Sequence, residues 1–331
     1  MGKEEGSMLP LAIITYPFPL DWLELLEGHC RTLICPEGTE GIGPGLMEHL
    51  EEAEGILSIL TLRVDEILLE KAPRLKVVSN MAVGVDNIDL AACTRRGIPV
   101  GNTPGVLTDA TADLTMALLL AIARQLPRSS ADAREGLWQT WTPTGWLGAD
   151  LSGATLGIIG MGKIGRAVAK RAKGFGLKIA YADSSECPDL DPSLGATYLS
   201  LDEVLRQSDF VSVHVPLMAE TRGLIGEREM RLMKPTAYLV NAARGPIVDT
   251  QALVRALQEG WIAGAALDVT DPEPLPKEHP LYTFPNCLVV PHIGSATYGT
   301  RKKMAELACL NLVAGLEGRR LPHCANPEVY E

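Results

Sequence analysis

The chain has 331 residues, 46% of them apolar and 21% charged, with a formal net charge of -11. That length fits two ordinary domains with sizeable cores, and the composition is neither disordered nor collagen-like. The acidic balance argues against a general nucleic-acid or anionic-membrane surface, although a local basic pocket stays open.

The opening MGKEEGSMLP has no apolar stretch of the kind a secretory leader needs, and Gly6 stands where a myristoylation signal wants Ser or Thr. A short apolar run at 11–15 (LAIIT) predicts a buried strand, followed by a helix rich in Leu and Glu. Further runs at 55–60, 75–80 and 98–102 repeat the alternation of strand and polar helix, which predicts an α/β fold with a parallel sheet. From Asp109 to Arg124 an Ala/Leu-rich segment predicts a buried helix. Its longest apolar run, Leu114 to Ala123, is too short to span a bilayer. Residues 127–150, with Pro127, Pro143, Trp138, Trp141 and Trp146, read as a linker or arm.

A second α/β unit follows. A strand at 154–159 runs into Gly160-Met161-Gly162-Lys163-Ile164-Gly165, then a helix at 163–174 and a strand at 177–182 ending at Asp183. Later strands are expected at 209–215, 237–242, 262–269 and 287–291, with an amphipathic helix at 296–317. The seven cysteines form no zinc-ribbon or CxxC spacing, which predicts reduced thiols in a cytoplasmic protein, most of them small apolar fillers.

The glycine motif sits between a strand and a helix, with an acidic residue at the end of the next strand, the context in which GxGxxG binds a dinucleotide. Gly160 would make the tight turn, Gly162 would admit the pyrophosphate, and Gly165 would let the helix pack against the sheet. The helix N-terminus at Lys163 and Ile164 offers free N–H groups and the positive dipole end to phosphate. Asp183 would take the adenosine ribose hydroxyls and repel a 2′-phosphate. With Ser184, Ser185, Glu186 and Cys187 after it, it favours NAD(H), with NADP(H) as the alternative.

Three polar residues follow later strands: Arg244, Glu273 and His292. Hydride transfer to a ketone calls for a cation to hold a carboxylate and polarise the carbonyl, an acid to protonate the forming alkoxide, and a carboxylate to orient that acid. Arg, His and Glu supply these in turn. Singly each has a bland alternative, and His29, His49, His214, His279 and His323 compete with His292 on composition alone. No histidine pairs with Cys or Asp at metal-ligand spacing, so no metal site is expected.

Four blocks, MAVGVDNID (81–89), GIIGMGKIGRAVAKRAKGFG (157–176), VNAARGPIVD (240–249) and AALDVTDPEPLPKEHPL…NCLVVPHIGSAT (265–297), resemble the D-isomer-specific 2-hydroxyacid dehydrogenases along nearly the whole chain. The last block and the Trp-rich segment most resemble the animal glyoxylate/hydroxypyruvate reductases. The resemblance implies two Rossmann-like/flavodoxin-like domains with parallel sheets and an active site in the interdomain cleft. The substrate domain would be 8–105 completed by 298–331. The cofactor domain would be 106–297, with a dimerisation arm at about 123–149.

It further implies that Arg244 binds substrate carboxylate and carbonyl, that His292 is the proton donor in reduction, and that Glu273 pairs with it. The backbone at Val83 and Gly84 would cradle the carboxylate, and Ser295 would contact substrate. Thr108, Pro216, Ala242, Asp268 and Gly294 would line the cofactor, and Trp141 would reach a neighbouring subunit's site or pack in a dimer core. Glu273 stands where formate-dehydrogenase-like members carry Gln, and Val83 where phosphite-dehydrogenase-like members carry Lys. The expectation is a homodimeric NAD(P)H-dependent reductase of glyoxylate and hydroxypyruvate. A reductase of a larger 2-oxo acid such as 2-ketogluconate, or an NAD(H)-sensing corepressor-like scaffold, is the alternative.

Overall fold

The computed structural model describes residues 9–37 and 41–331. The N-terminal stretch read above for leader signals lies, up to residue 8, outside the described residues. The chain forms two compact units: one runs to Leu107 and resumes over Thr297–Glu331, and the other is Thr108–Ala296.

The first unit holds strands β1 (Leu11–Ile14), β2 (Arg31–Ile34), β3 (Gly55–Ser58), β4 (Val77–Asn80) and β5 (Val100–Gly101), with helices α1 (Pro44–Met47), α2 (Glu66–Lys71) and α3 (Leu90–Arg95). All pair in parallel, in the order β2-β1-β3-β4-β5. This is the flavodoxin-like winding. β1, β3 and β4 are buried throughout, as expected of parallel strands covered on both faces. β2 is an edge strand and half exposed, and its sequence carries no apolar run, so the sequence reading missed it. The expected helix after β1 is instead two 3-10 turns, Leu20–Trp22 and Glu24–Leu26. Pro17 and Pro19 in front and Gly28 (φ +76°) behind leave too few residues for an α-helix.

The second unit carries β6 (Thr155–Ile159), β7 (Lys178–Ala182), β8 (Thr197–Tyr198), β9 (Phe210–Val213), β10 (Tyr238–Asn241), β11 (Gly264–Leu267) and β12 (Cys287–Val289). Its helices are α4 (Thr108–Ala123), α5 (Leu126–Arg134), α6 (Lys163–Gly174), α7 (Leu201–Gln207), α8 (Glu227–Leu232) and α9 (Thr250–Glu259). The strands are parallel, in the order β12-β11-β10-β9-β6-β7-β8. The reversal of strand order between β6 and β9 is the doubly wound topology that binds ligands beyond the strands' carboxyl ends. α4 and α6 cover one face, with Leu119, Ile158, Val168 and Tyr181 in the core; α8 and α9 cover the other, with Met230, Leu253, Leu239 and Val211. α5 occupies part of the segment read as a linker, because Pro127 falls in the helix's first turn, where a missing N–H costs nothing.

The C-terminal helix α10 (Tyr298–Leu316) belongs to the first unit. It is not amphipathic as expected: Asn311–Leu316 are all buried. Its Ala308, Cys309 and Leu312 pack among Ala12, Leu57 and Val77. Buried Asn311 is satisfied, donating to Asn102 O at 2.9 Å and accepting from His323 N at 3.0 Å. Among the described residues no helix is long and apolar enough to cross a membrane. Cys30, Cys35, Cys93 and Cys309 are buried fillers, and burial pushes the thiols of Cys30 and Cys93 up to about 11.

Candidate active site

β6 ends at Ile159, and the chain turns through Gly160 at φ +97°, a backbone conformation that side chains resist. A Cβ on Gly160 would fall 2.8 Å from His214 C and Val215 N, and one on Gly165 would fall 2.2 Å from the Gly160 carbonyl oxygen. Both glycines are therefore required by packing of the turn itself. Gly162 differs, since nothing lies within 4 Å of its Cβ position. It caps α6 without a side-chain hydrogen bond, so the first N–H groups of a twelve-residue helix open onto that space. Lys163 is exposed there and Ile164 half-buried. Asp183, just past β7, is pinned toward the same turn: Met161 N donates to its Oδ2 at 2.7 Å and Ser184 N to its Oδ1 at 2.7 Å. Open backbone at a helix N-terminus beside a fixed carboxylate fits a dinucleotide's phosphates and ribose.

The ends of β10, β11 and β12 bring the second group together. At the end of β10, Asn241 shapes the turn: its Oδ1 accepts from Ala243 N at 3.1 Å and its Nδ2 donates to Arg244 O at 2.9 Å. Arg244 Nη1 donates to Ala243 O at 2.9 Å. At the next residue, a Cβ on Gly245 would lie 1.8 Å from the Thr270 carbonyl oxygen, so the turn that carries Arg244 rests directly on the loop that carries Glu273. In that loop the Asp271–Pro272 and Glu273–Pro274 peptides are cis. Thr270 N donates to Glu273 Oε2 at 3.2 Å.

Past β12, His292 sits at φ +50°, an uncommon conformation for a side-chain-bearing residue and one that clusters at functional sites. Its backbone N donates to Asp268 O at 2.9 Å. Asp268, almost fully buried just past β11, fixes the following residues: Ile293 N donates to its Oδ1 at 2.6 Å and Gly294 N to its Oδ2 at 2.9 Å. Burial pushes the Asp268 carboxyl up, against those two hydrogen bonds and the charge of His292.

His292 Nδ1 lies 2.6 Å from Glu273 Oε1. Partial withdrawal from water acts to raise the Glu273 carboxyl. The hydrogen bond and charge of His292, the Thr270 N–H and the charge of Arg244 outweigh it and hold the group below the ordinary range. An ionised Glu273 only accepts, so Nδ1 carries the hydrogen it donates, and Nε2 is left for a reacting group. In such a pair the carboxylate can orient the imidazole for acid–base work.

Other expected residues fall in less telling places. Ala242 is buried and Ser295 half-buried past the same strand ends; Thr108 opens α4; Pro216 is exposed past β9, its carbonyl held by Thr221 Oγ1 at 2.6 Å. Trp141 is 79% exposed. Val83 and Gly84 belong to the first unit, in the loop after β4, where Asn102 Nδ2 donates to Val83 O at 2.9 Å and Asn80 Nδ2 to Gly84 O at 3.1 Å. Among the described residues no group of three His, Cys, Asp or Glu side chains gathers as metal ligands do.

Sequence reading did not find the tie made by Asn241, nor anything distinctive about His214. His214 Nε2 lies 3.1 Å from Ser212 Oγ, and its enclosed Nδ1 has no protein partner. Burial pushes its ring down to about 4 from 6.5. The unfolded chain therefore takes up a proton near pH 6.5 that the folded chain refuses until about pH 4, so stability should fall as pH drops through that window. His214→Gln, which cannot titrate, should flatten this part of a plot of melting temperature against pH. An unchanged slope would show that His214 is not its source.

The topology, the glycine turn with its carboxylate and the His–Glu pair together define a dinucleotide-binding oxidoreductase. Residues 116–294, more than half of the chain, match the family model for the D-isomer specific 2-hydroxyacid dehydrogenase NAD-binding domain. The chain is 46% identical over 326 residues to a glyoxylate reductase of Thermococcus litoralis, covering 97% of this chain and 98% of that one. A protein of Thermus thermophilus superposes with a TM-score of 0.89 at 46% identity, covering 95% of this chain and 99% of the other. An NADPH-dependent glyoxylate/hydroxypyruvate reductase from Sinorhizobium meliloti, in complex with NADP and malonate, superposes with a TM-score of 0.85 at 33% identity, covering 97% of each chain. This protein belongs to the D-isomer specific 2-hydroxyacid dehydrogenase family.

Proposed function

We propose that the protein reduces glyoxylate and hydroxypyruvate to glycolate and D-glycerate, with NADH as the preferred donor. The observation that carries this reading is the 2.6 Å His292–Glu273 pair on the loop adjoining Arg244, and the names of the relatives support the choice of acid.

A bound reduced nicotinamide would supply the hydride for C2 of the oxo acid. Arg244 would hold the substrate carboxylate and draw density from the carbonyl oxygen. His292 Nε2 would give its proton to the substrate's carbonyl oxygen as negative charge develops there. Glu273 orients the ring and offsets its charge, while Asp268 keeps the His292 loop in place. Gly162, Lys163 and Ile164 offer backbone N–H groups to the pyrophosphate, and Asp183 faces the adenosine ribose.

The preference for NADH rests on Asp183, a carboxylate fixed beside the glycine turn and followed by Ser184, Ser185 and Glu186. The homodimer is supported by the exposed apolar side chains of Leu137, Trp138, Trp141 and Leu147, which lie close in sequence. Sedimentation should return twice the chain mass, and a monomer at micromolar concentration would remove this part of the reading.

The test of function is loss of reduced-nicotinamide absorbance with glyoxylate and hydroxypyruvate, run with NADH and NADPH in parallel. Turnover with NADH well above NADPH supports the whole reading. Turnover with NADPH alone overturns the cofactor preference. Failure with both acids while 2-ketogluconate is reduced would move the substrate to a larger acid. Cofactor binding with no turnover of any acid would point to a nicotinamide-sensing scaffold.

A further inference from the structure

Beside the carboxylate of Asp183 stands a cation that follows the glycine motif. Arg166 lies three residues into α6, and its Nε donates to Met161 O at 3.0 Å. Met161 N donates in turn to Asp183 Oδ2 at 2.7 Å. A single residue of the glycine turn thus joins the guanidinium to the carboxylate. The other donors of Arg166 are turned onto Asp189: Nη1 lies 2.9 Å from Oδ2 and Nη2 2.7 Å from Oδ1, with Nη1 also 3.4 Å from the Asp189 carbonyl. The start of this loop is anchored from beneath, where Cys187 N donates to the Tyr181 hydroxyl at 3.1 Å. The Arg166 side chain is 33% exposed and that of Asp189 74%.

A guanidinium next to the ribose position is the group that a 2′-phosphate recruits, because its planar fork matches phosphate oxygens. Here the fork is already filled and its charge offset. We propose that Asp189 is a second cofactor-selecting residue. By holding Arg166 in a two-pronged ion pair, it withholds from a 2′-phosphate the cation that would otherwise receive it. Asp183 repels that phosphate directly, and Asp189 acts through Arg166. The inference rests on the reading that the glycine turn and Asp183 hold the adenosine ribose. Arg166 also touches the turn by its Nε, so releasing its Nη atoms leaves it tethered beside the site.

An exposed ion pair is weak, whereas a phosphate near two negative charges is a strong partner for a freed guanidinium. The test is direct binding of NADH and NADPH to the full-length protein, followed by nicotinamide fluorescence, so that it does not depend on turnover. Asp189→Ala lies on the surface and should fold as the wild type does. It should tighten NADPH binding by about tenfold with NADH affinity little changed. In Asp189→Ala/Arg166→Ala the gain should vanish. An unchanged NADPH affinity in Asp189→Ala, or a gain that survives loss of Arg166, overturns the proposal. A wild type that binds neither nucleotide overturns it differently, by removing the underlying placement of the dinucleotide.

Discussion

Replacing His292 by alanine is expected to lower kcat for hydroxypyruvate reduction by roughly a hundred- to ten-thousand-fold, the range typical of a lost general acid. NADH affinity should change little, because the glycine turn and Asp183 lie past β6 and β7 while His292 lies past β12. Glu273→Gln separates donation from orientation. The amide keeps the size of the side chain but removes the charge that faces Nδ1 at 2.6 Å. The loss should be smaller than for His292→Ala, because the amide oxygen can still accept from Nδ1 and orient the ring while the counter-charge is gone. A His292→Ala enzyme that kept more than a tenth of wild-type kcat would remove His292 from the reaction. A Glu273→Gln enzyme with wild-type kcat would remove the Glu273 charge from the reaction.

The second large effect comes from two substitutions that are alike on paper and opposite in space. At Gly245, alanine would put a carbon 1.8 Å from a backbone oxygen of Thr270, and neither main chain can yield as a flexible side chain would. The cost should be about 3 kcal/mol, seen as a melting temperature lower by several degrees. In the fraction that folds, kcat/KM should fall as well, because the Arg244 turn must lift from the Glu273 loop. At Gly162 the same methyl group meets nothing within 4 Å, so Gly162→Ala should melt like the wild type. It should nonetheless bind NADH more weakly, since the methyl occupies the space assigned to the pyrophosphate. Equal stability of the two variants would remove the steric argument. Wild-type NADH affinity in Gly162→Ala would remove the pyrophosphate from that space.

Much of this arrangement was legible in the sequence where local chemistry sets it. The glycine motif fixes its own context, and the expected helix over 163–174 coincides with α6. The fully buried strands announced themselves as apolar runs. The edges did not. β2 and the two-residue β8 are exposed or half exposed and exist because a neighbouring strand supplies hydrogen bonds, a fact the local sequence does not carry. α10 was misjudged for a related reason. Its charged N-terminal turns suggest a helix with one polar face, but its second half runs between other elements, with Asn311 held by Asn102, far away in sequence. The pairing of Glu273 with His292 is expected from the chemistry's need for an oriented acid and from the resemblance, and nothing in the spacing of 273 and 292 dictates a contact. Contacts such as those of Asn241 with the Arg244 turn, or Asp189 with Arg166, depend on how loops return past strand ends, which periodicity does not encode.

The strand order also separates two kinds of inheritance. The residues assigned to the adenosine end of the cofactor follow β6 and β7, while Arg244, Glu273 and His292 follow β10, β11 and β12, with β9 lying between the two groups. Hydrogen bonds and close contacts stitch each group together internally, through Met161 on one side and through Asn241, Gly245 and Asp268 on the other. A lineage can therefore exchange one electron-carrier currency for another by altering a few residues past β7, without disturbing the apparatus that handles the acid. The metabolic pool from which such an enzyme draws its reducing power is free to drift faster than the chemistry it performs.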